Sequence, residues 1–366
     1  MSKSTFLSCT FDRNSFTFDM KGKAVIYTQD KFVQNYAKTA HGLIRGSERY
    51  QVVGVIDQAH AGQDAGTLLD GEARSIPIFA DLQAFLESEP EAKYFIIGIA
   101  NTGGILDRAW FPMIKAAIYA GMDIVCGMHE AMAEIPEIAD LARAQGVKLI
   151  DVRRPKRRED LHFWTGEIRE VTCPIVPVLG TDCAVGKRTT AKMLVEAFRA
   201  RGKKAEMIYT GQTGWMQGWD YGFIFDSTLN DFVSGELEHA IVTCFREEKP
   251  DIIFVEGQAA LRNPSGPCGS EFLVSGGATG VILVHPPART FHKGWDKMNK
   301  QIASVASEIT LIEAYGVPVL GMALNTMGME REEAKRIQAS YRVQFGLPVV
   351  LPVEEGVEDL LEIWMV

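Results

Sequence analysis

A chain of 366 residues, 46% apolar and 23% charged, is too long for one typical core and has the composition of a soluble two-domain protein. Its net charge of −9 argues against a general nucleic-acid binder. No apolar run reaches bilayer length, so neither nucleic acid nor membrane is expected as a partner. The segment Met1–Phe16 lacks the continuous apolar stretch of a secretory signal. Six scattered cysteines, Cys9, Cys126, Cys173, Cys183, Cys244 and Cys268, form no C-x-x-C pair and read as buried reduced thiols in a cytoplasmic protein.

The first half alternates strands and helices. Strands are predicted at Lys23–Tyr27, Tyr50–Asp57, Ile76–Phe79, Tyr94–Ile99, Asp123–Cys126 and Lys148–Val152, with helices over Phe32–Arg45, Asp81–Ser88, Asp107–Ala120 and Ile135–Gln145. Near-continuously apolar strands separated by helices imply an α/β fold with a parallel, doubly wound sheet. Asp57 ends the second strand, where a ribose-binding acid often sits. The first turn, Thr28–Phe32, has no G-x-G-x-x-G, so a scaffold without a working dinucleotide site is the better reading. The basic run Arg153–Arg158 reads as a solvated linker face, with anion capture at a domain cleft as the other reading. Residues 1–152 form the expected first domain, 153–173 the linker and 174–366 the second domain.

The second half restarts with Val176–Ala191, VPVLGTDCAVGKRTTA: an apolar strand, a glycine turn, Lys187 and a helix-forming run. That order is a phosphate-binding P-loop, in which backbone N–H groups and a lysine converge on one anion. Gly180 and Gly186 are one residue further apart than in the common motif. Arg188 stands where a metal-ligating Ser or Thr normally follows the lysine, and Thr189 and Thr190 come late. The loop therefore suits a diphosphate, with ordinary ATP hydrolysis in question. Further loops follow strands, where open α/β sheets bind ligands. These are the Thr210–Trp215 loop, with Gly211, Gln212, Thr213 and Gly214 as ligand or substrate donors; Glu256, a carboxylate after an apolar strand; Asp226; His285, after a strand over Gly280–Val284; and Asn325, able to meet an adenine edge. A helix is predicted over Asn230–Phe245 and another strand over Val317–Leu324.

Two resemblances follow from these segments. Gly180–Lys187, Thr210–Trp215, Val255–Gln258 and Ala323–Thr326 are similar to the loops of dethiobiotin synthetase, which implies a P-loop NTPase-like second domain with Asn325 at the adenine and Pro352 nearby. Asn35–Gly42, Gly121–Glu130 and Gly180–Thr190 resemble a two-domain bacterial family with a Rossmann-like N-terminal domain and a C-terminal P-loop domain. Members with an assigned activity are D-glutamate N-acetyltransferases. The resemblance implies that Gly180, Thr181, Asp182, Gly186, Lys187, Arg188, Thr189, Thr190 and Asn325 hold acetyl-CoA as co-substrate. Acetyl transfer breaks no phosphoanhydride, so a missing metal ligand would cost nothing, and no resident metal is expected. Arg188 would contact a further phosphate or face solvent.

Asp226, Glu256 and His285 are the candidate bases, unranked, and the Gly211–Gly214 backbone supplies candidate oxyanion donors. Arg262, Arg289 and Lys293 are candidate cations for a dicarboxylate. The alternatives are an ATP/Mg-dependent kinase or ligase acting on a carboxylate, and a non-catalytic nucleotide sensor. A small-molecule substrate and a homo-oligomer are the expected partners.

Overall fold

The computed structural model describes residues 21–364; Cys9 and the Met1–Phe16 segment lie outside them. Two six-stranded parallel sheets carry the chain. The first comprises β1 (Gly22–Tyr27), β2 (Tyr50–Ile56), β3 (Ile78–Phe79), β4 (Tyr94–Ile97), β5 (Asp123–Cys126) and β6 (Leu149–Asp151) in the order β3-β2-β1-β4-β5-β6. Chain order reverses between β1 and β4, where Ala24–Tyr27 pair in register with Tyr94–Ile97. This is the doubly wound arrangement with its crevice at the strands' carboxyl ends. The second sheet comprises β7 (Ile175–Gly180), β8 (Ala205–Ile208), β9 (Ile252–Glu256), β10 (Val281–His285), β11 (Val319–Leu324) and β12 (Val349–Val350) in the order β12-β11-β10-β7-β9-β8. The P-loop strand β7 is central and buried along its whole length.

Four helices position the site: α1 (Lys38–Ile44), α2 (Lys187–Ala200), α3 (Gln212–Gln217) and α4 (Asn230–Glu248). Helix α1 is shorter than the predicted 32–45 helix, because a separate 3-10 turn occupies Asn35–Ala37. The Thr210–Trp215 segment is not a loop. Gly211 is extended, and helix α3 begins at the next residue, so Gln212, Thr213 and Gly214 are helical. His285 closes strand β10 instead of following it. Of the five described cysteines, only Cys126 and Cys244 are buried; Cys173, Cys183 and Cys268 are half-buried. No helix among the described residues is long and apolar enough to cross a membrane.

The domains are held together by α3. Met216 is fully buried within the apolar cluster of the first domain, beside Ile26, Ala40 and Val125. Gln217 Nε2 donates to the carbonyls of Gly42 (2.8 Å) and Gly46 (3.1 Å). Ser47 Oγ and Arg49 Nε donate to the carbonyls of Met216 (2.9 Å) and Trp215 (2.8 Å), and the Arg49 guanidinium lies 4.3 Å above the Trp215 ring. Gly42 and Gly127 permit this approach. A Cβ on Gly42 would stand 2.7 Å from Arg188 and Thr213, and one on Gly127 2.6 Å from Gln212.

The 153–173 segment is strapped along α4 by two buried carboxylates. Glu236 accepts from Lys156 Nζ (2.5 Å) and from both the backbone N and Nδ1 of His162 (2.8 Å each). Glu238 accepts from the backbone N of Thr165 (2.6 Å) and of Ile168 (3.1 Å). Burial alone would raise the Glu236 carboxyl, but Lys156 and His162 outweigh it and hold it below its ordinary value of 4.5. A depressed folded-state value stabilises the fold above the ordinary carboxylate range, and that contribution is lost as pH falls through the depressed value. Glu236→Gln is therefore expected to lower stability by about 1–3 kcal/mol at pH 7. In urea unfolding across a pH series, the gap to the wild-type protein should close below about pH 4.5.

Candidate active site

The carboxyl ends of both sheets meet at the domain seam, where Arg153 and His129 approach Asp226 and Gly42 approaches Arg188. From the second sheet come the P-loop after β7, α3 after β8, Glu256 at the end of β9, and Asn325 after β11. From the first come Lys38 after β1, His129 after β5 and Arg153 after β6.

Asp182 is the hub of the P-loop. Its fully buried carboxylate accepts from Arg289 Nη1 (2.9 Å), Asn263 Nδ2 (2.9 Å) and the backbone N of Lys293 (2.8 Å), and pairs with His292 Nδ1 (3.0 Å). Burial pushes this carboxyl up, yet those donors outweigh burial and the net shift is downward. Arg289 also donates to the carbonyls of Cys183 (2.7 Å) and Ala184 (3.3 Å), clamping the loop from outside. Asn325 Nδ2 donates to the Val185 carbonyl (3.0 Å). Gly186 takes φ 102° as α2 begins, with no side-chain cap, leaving the first N–H groups of the helix for an anion. Lys187 Nζ reaches back to the carbonyls of Asp182 (2.8 Å) and Ala259 (2.7 Å). Among the described residues its hydrogen-bond partners are neutral carbonyls, and burial pulls its ammonium below the ordinary value, with Cys183, Cys268, Asp182 and Glu256 acting the other way.

Other residues singled out in the sequence have different placements. His285 lies beneath the loop with Nδ1 2.9 Å from Thr181 Oγ1. Burial, reinforced by Arg289, brings its imidazole down to about 4. Thr190 is buried in the first turn of α2, and Thr189 beside it is half-buried. Arg262 pairs with Glu308 (Nε–Oε2 2.7 Å) and Ser307 (2.8 Å), and Arg289 with Asp182, so each guanidinium already holds a carboxylate of its own domain. Glu256 is buried and accepts from the backbone N–H groups of Thr210 (3.0 Å) and Gly211. Those two N–H groups are thereby spent on a carboxylate. Burial raises the Glu256 carboxyl, with Arg188, the two N–H groups and Lys187 opposing it. Arg188 does not face solvent: its guanidinium lies 3.9 Å from Glu256 and packs into the domain seam against Gly42.

Asp226 sits where the two domains meet. Its Oδ2 is 3.0 Å from Arg153 Nη2 and 3.7 Å from His129 Nε2, and Arg153 Nη2 also donates to Gln212 Oε1 (2.9 Å). Arg153 thus leaves the solvated face expected of the basic run: its side chain is 10% exposed, although Arg157 does stay at the surface with Glu159 and Asp160. Burial and the Arg153 charge hold the His129 imidazole below its ordinary value of 6.5, with Asp226 pulling the other way. A lowered value favours the neutral imidazole at physiological pH.

The Asp57 carboxylate is buried and accepts from Thr28 Oγ1 (2.7 Å) and the backbone N of Phe32 (3.0 Å), and pairs with His60 Nδ1 (2.6 Å). The position of a ribose-binding acid is thus filled by the protein's own donors.

Residues 162–361 match the P-loop domain of DUF1611, a domain of unknown function, and residues 58–155 match its Rossmann-like N-terminal domain. The chain belongs to this family. Two relatives named D-glutamate N-acetyltransferase, from Pseudoalteromonas sp and Tritonibacter scottomollicae, are each 31% identical over 74% of this chain and 80% of their own length. A crystal structure of a DUF1611 family protein from Anabaena variabilis superposes with a TM-score of 0.84 at 31% identity, covering 93% of this chain and 98% of that one. The shared architecture is the two-domain α/β fold expected from the sequence.

His129, Lys38 and Arg153 were not among the site residues read from the sequence. The signal was present: each follows a strand of a doubly wound sheet at its carboxyl end, where such folds place ligands. Removing the P-loop hub tests its role. Asp182→Ala leaves Arg289 and His292 without their carboxylate and is expected to cost on the order of 3–5 kcal/mol, measured by urea unfolding, with loss of anion binding.

Proposed function

We propose that the protein is an N-acetyltransferase that moves acetyl from acetyl-CoA to the amino group of D-glutamate. The observation that carries this reading is that His129, from the first sheet, faces Asp226 of the P-loop domain at 3.7 Å, in the same domain seam where Arg188 of the P-loop packs against Gly42. The P-loop N–H groups and Lys187 hold the CoA diphosphate as a handle. Arg188, turned into the domain seam against Glu256, replaces the metal-ligating hydroxyl, which fits a reaction that leaves phosphoanhydrides intact. The names of the two curated relatives support the same activity.

The amine nitrogen attacks the thioester carbonyl as His129 removes its proton. The new N–C bond forms, the C–S bond breaks, and the imidazolium returns the proton to the departing thiolate. Asp226, 3.7 Å from His129, stabilises the imidazolium while that proton is held, so its role is electrostatic and the imidazole is the base.

Calorimetry with acetyl-CoA, CoA and ATP–Mg²⁺, paired with a thiol-release assay on D- and L-glutamate, tests the reading. CoA binding that weakens at least about tenfold in Lys187→Ala, and thiol release with D-glutamate, are expected. Tight ATP–Mg²⁺ binding without CoA binding overturns it in favour of a carboxylate kinase or ligase. His129→Ala should lower kcat by about 10²–10⁴. Because the His129 value is depressed, the neutral base persists to lower pH, and the acid limb of wild-type kcat/KM should fall below pH 6.5 and vanish in the variant.

A further inference from the structure

One carboxylate oxygen is contested at the domain seam. Asp226 Oδ2, on the 3-10 turn Phe225–Ser227 of the second domain, lies 3.0 Å from Arg153 Nη2 and 3.7 Å from His129 Nε2. The shorter contact is a close ion pair, and the longer is beyond hydrogen-bonding reach. Both competitors are held in place. The Arg153 side chain is 10% exposed, and its Nη2 also donates to Gln212 Oε1 (2.9 Å) at the start of α3. Gln212 is buried and packs so tightly on Gly127 that a Cβ there would stand 2.6 Å from it. The backbone N of His129 donates to the Gly104 carbonyl (2.8 Å). A Cβ on Gly104, at φ 64°, would stand 2.2 Å from the edge of the His129 ring. Two other charges lie near the ring along the chain or in the seam. Lys38 on α1 also disfavours its protonation, and Glu130 is engaged by Arg108 (2.6 Å) and the backbone N of Leu106 (2.9 Å).

From this geometry we infer that Arg153 is the positioning residue of the pair: by engaging Asp226 Oδ2 it holds the carboxylate back from His129 Nε2 and leaves that nitrogen open to the proton of the acceptor. The role rests on His129 acting as the base, as proposed above. A carboxylate in direct contact with an imidazole favours the charged ring. A ring closed onto Asp226 would therefore already carry the proton that it must take. At 3.7 Å the carboxylate still steadies the imidazolium once formed, without binding the proton in advance. Burial and the Arg153 charge lower the His129 value, and Asp226 opposes them without prevailing, as expected where the arginine has first claim on the carboxylate. Arg153 follows β6 of the first domain and reaches both Asp226 and α3 of the second. The open imidazole is thus a property of the seated domains and of neither one alone.

The test is an NMR titration of the His129 imidazole in the full chain, in the wild type, Arg153→Met, Asp226→Asn and the double variant. With the arginine gone the carboxylate closes onto Nε2, and His129 in Arg153→Met should bind its proton about tenfold more tightly. Asp226→Asn should weaken proton binding by about tenfold in the Arg153→Met background and by about threefold or less in the otherwise wild-type chain. Arg153→Lys keeps a cation for Asp226 and should titrate within about threefold of the wild type. A ring that binds its proton more tightly becomes neutral only at higher pH, so the acid limb of kcat/KM in Arg153→Met should move up by about one pH unit. Thermal melting verifies that each variant is folded, and Arg153→Gln takes the place of the methionine variant if that one is not. An unchanged titration in Arg153→Met, equal effects of Asp226→Asn in both backgrounds, or a lysine variant that titrates like the methionine one overturns the inference. Thiol release from acetyl-CoA accompanied by any of these results overturns the inference alone. The expected titrations without thiol release would instead overturn the acetyl-transfer reading and leave the hold of Arg153 on Asp226 standing.

Discussion

Everything in the cleft depends on how α3 seats against the carboxyl edge of the first sheet. Met216 leaves its own domain to complete the core of the other, and Gln217 ties the same helix to two backbone carbonyls around α1. An apolar anchor ringed by directional hydrogen bonds fixes both distance and rotation, which neither kind of contact does alone. Arg49 adds a hydrogen bond and a stacked ring at the same helix. Because α3 also begins beside Glu256, at the end of β9, seating it brings Gln212 to Arg153 and Arg188 to Gly42. A chemical site made by two sheets thereby acquires the rigidity of one.

Within the second domain the loop is held by charge. Asp182 is buried and tied by four donors, so its carboxylate shapes the cradle and is not directed at a ligand. Arg289 reinforces it from outside through two loop carbonyls. What remains for an anion is the start of α2 and Lys187, whose Nζ meets only carbonyl oxygens. Arg188, one residue on, points into the domain seam. Its departure from the common motif is thus structural as well as chemical: it carries a positive charge to Glu256 at the contact between domains.

Much of this was legible in the sequence. The apolar strand that opens Val176–Ala191, the apolar strand before Glu256 and the glycine spacing of the P-loop are local signals that survive any tertiary context. The first turn after β1 lacks a glycine fingerprint, and the Asp57 that ends the second predicted strand pairs with Thr28, Phe32 and His60. Asp226 stood out in the sequence as a carboxylate without an obvious structural excuse, and its partners, Arg153 and His129, lie 73 and 97 residues away. Gln212 to Gly214 looked like a loop because glycines and polar residues alternate there, and only packing against α1 makes them a helix.

The sequence by itself determined the two α/β domains, the parallel sheets and the P-loop, because each is written in contiguous residues whose period and turn chemistry are self-sufficient. Tertiary structure alone decided which charges face that cradle. Arg262 and Arg289 were spent on buried carboxylates of their own domain, whereas Lys38 and Arg153 were delivered from the other. Whether a cation is free or paired is a matter of what lies within a few ångströms of it, and no spacing along the chain records a contact between two separately folded sheets.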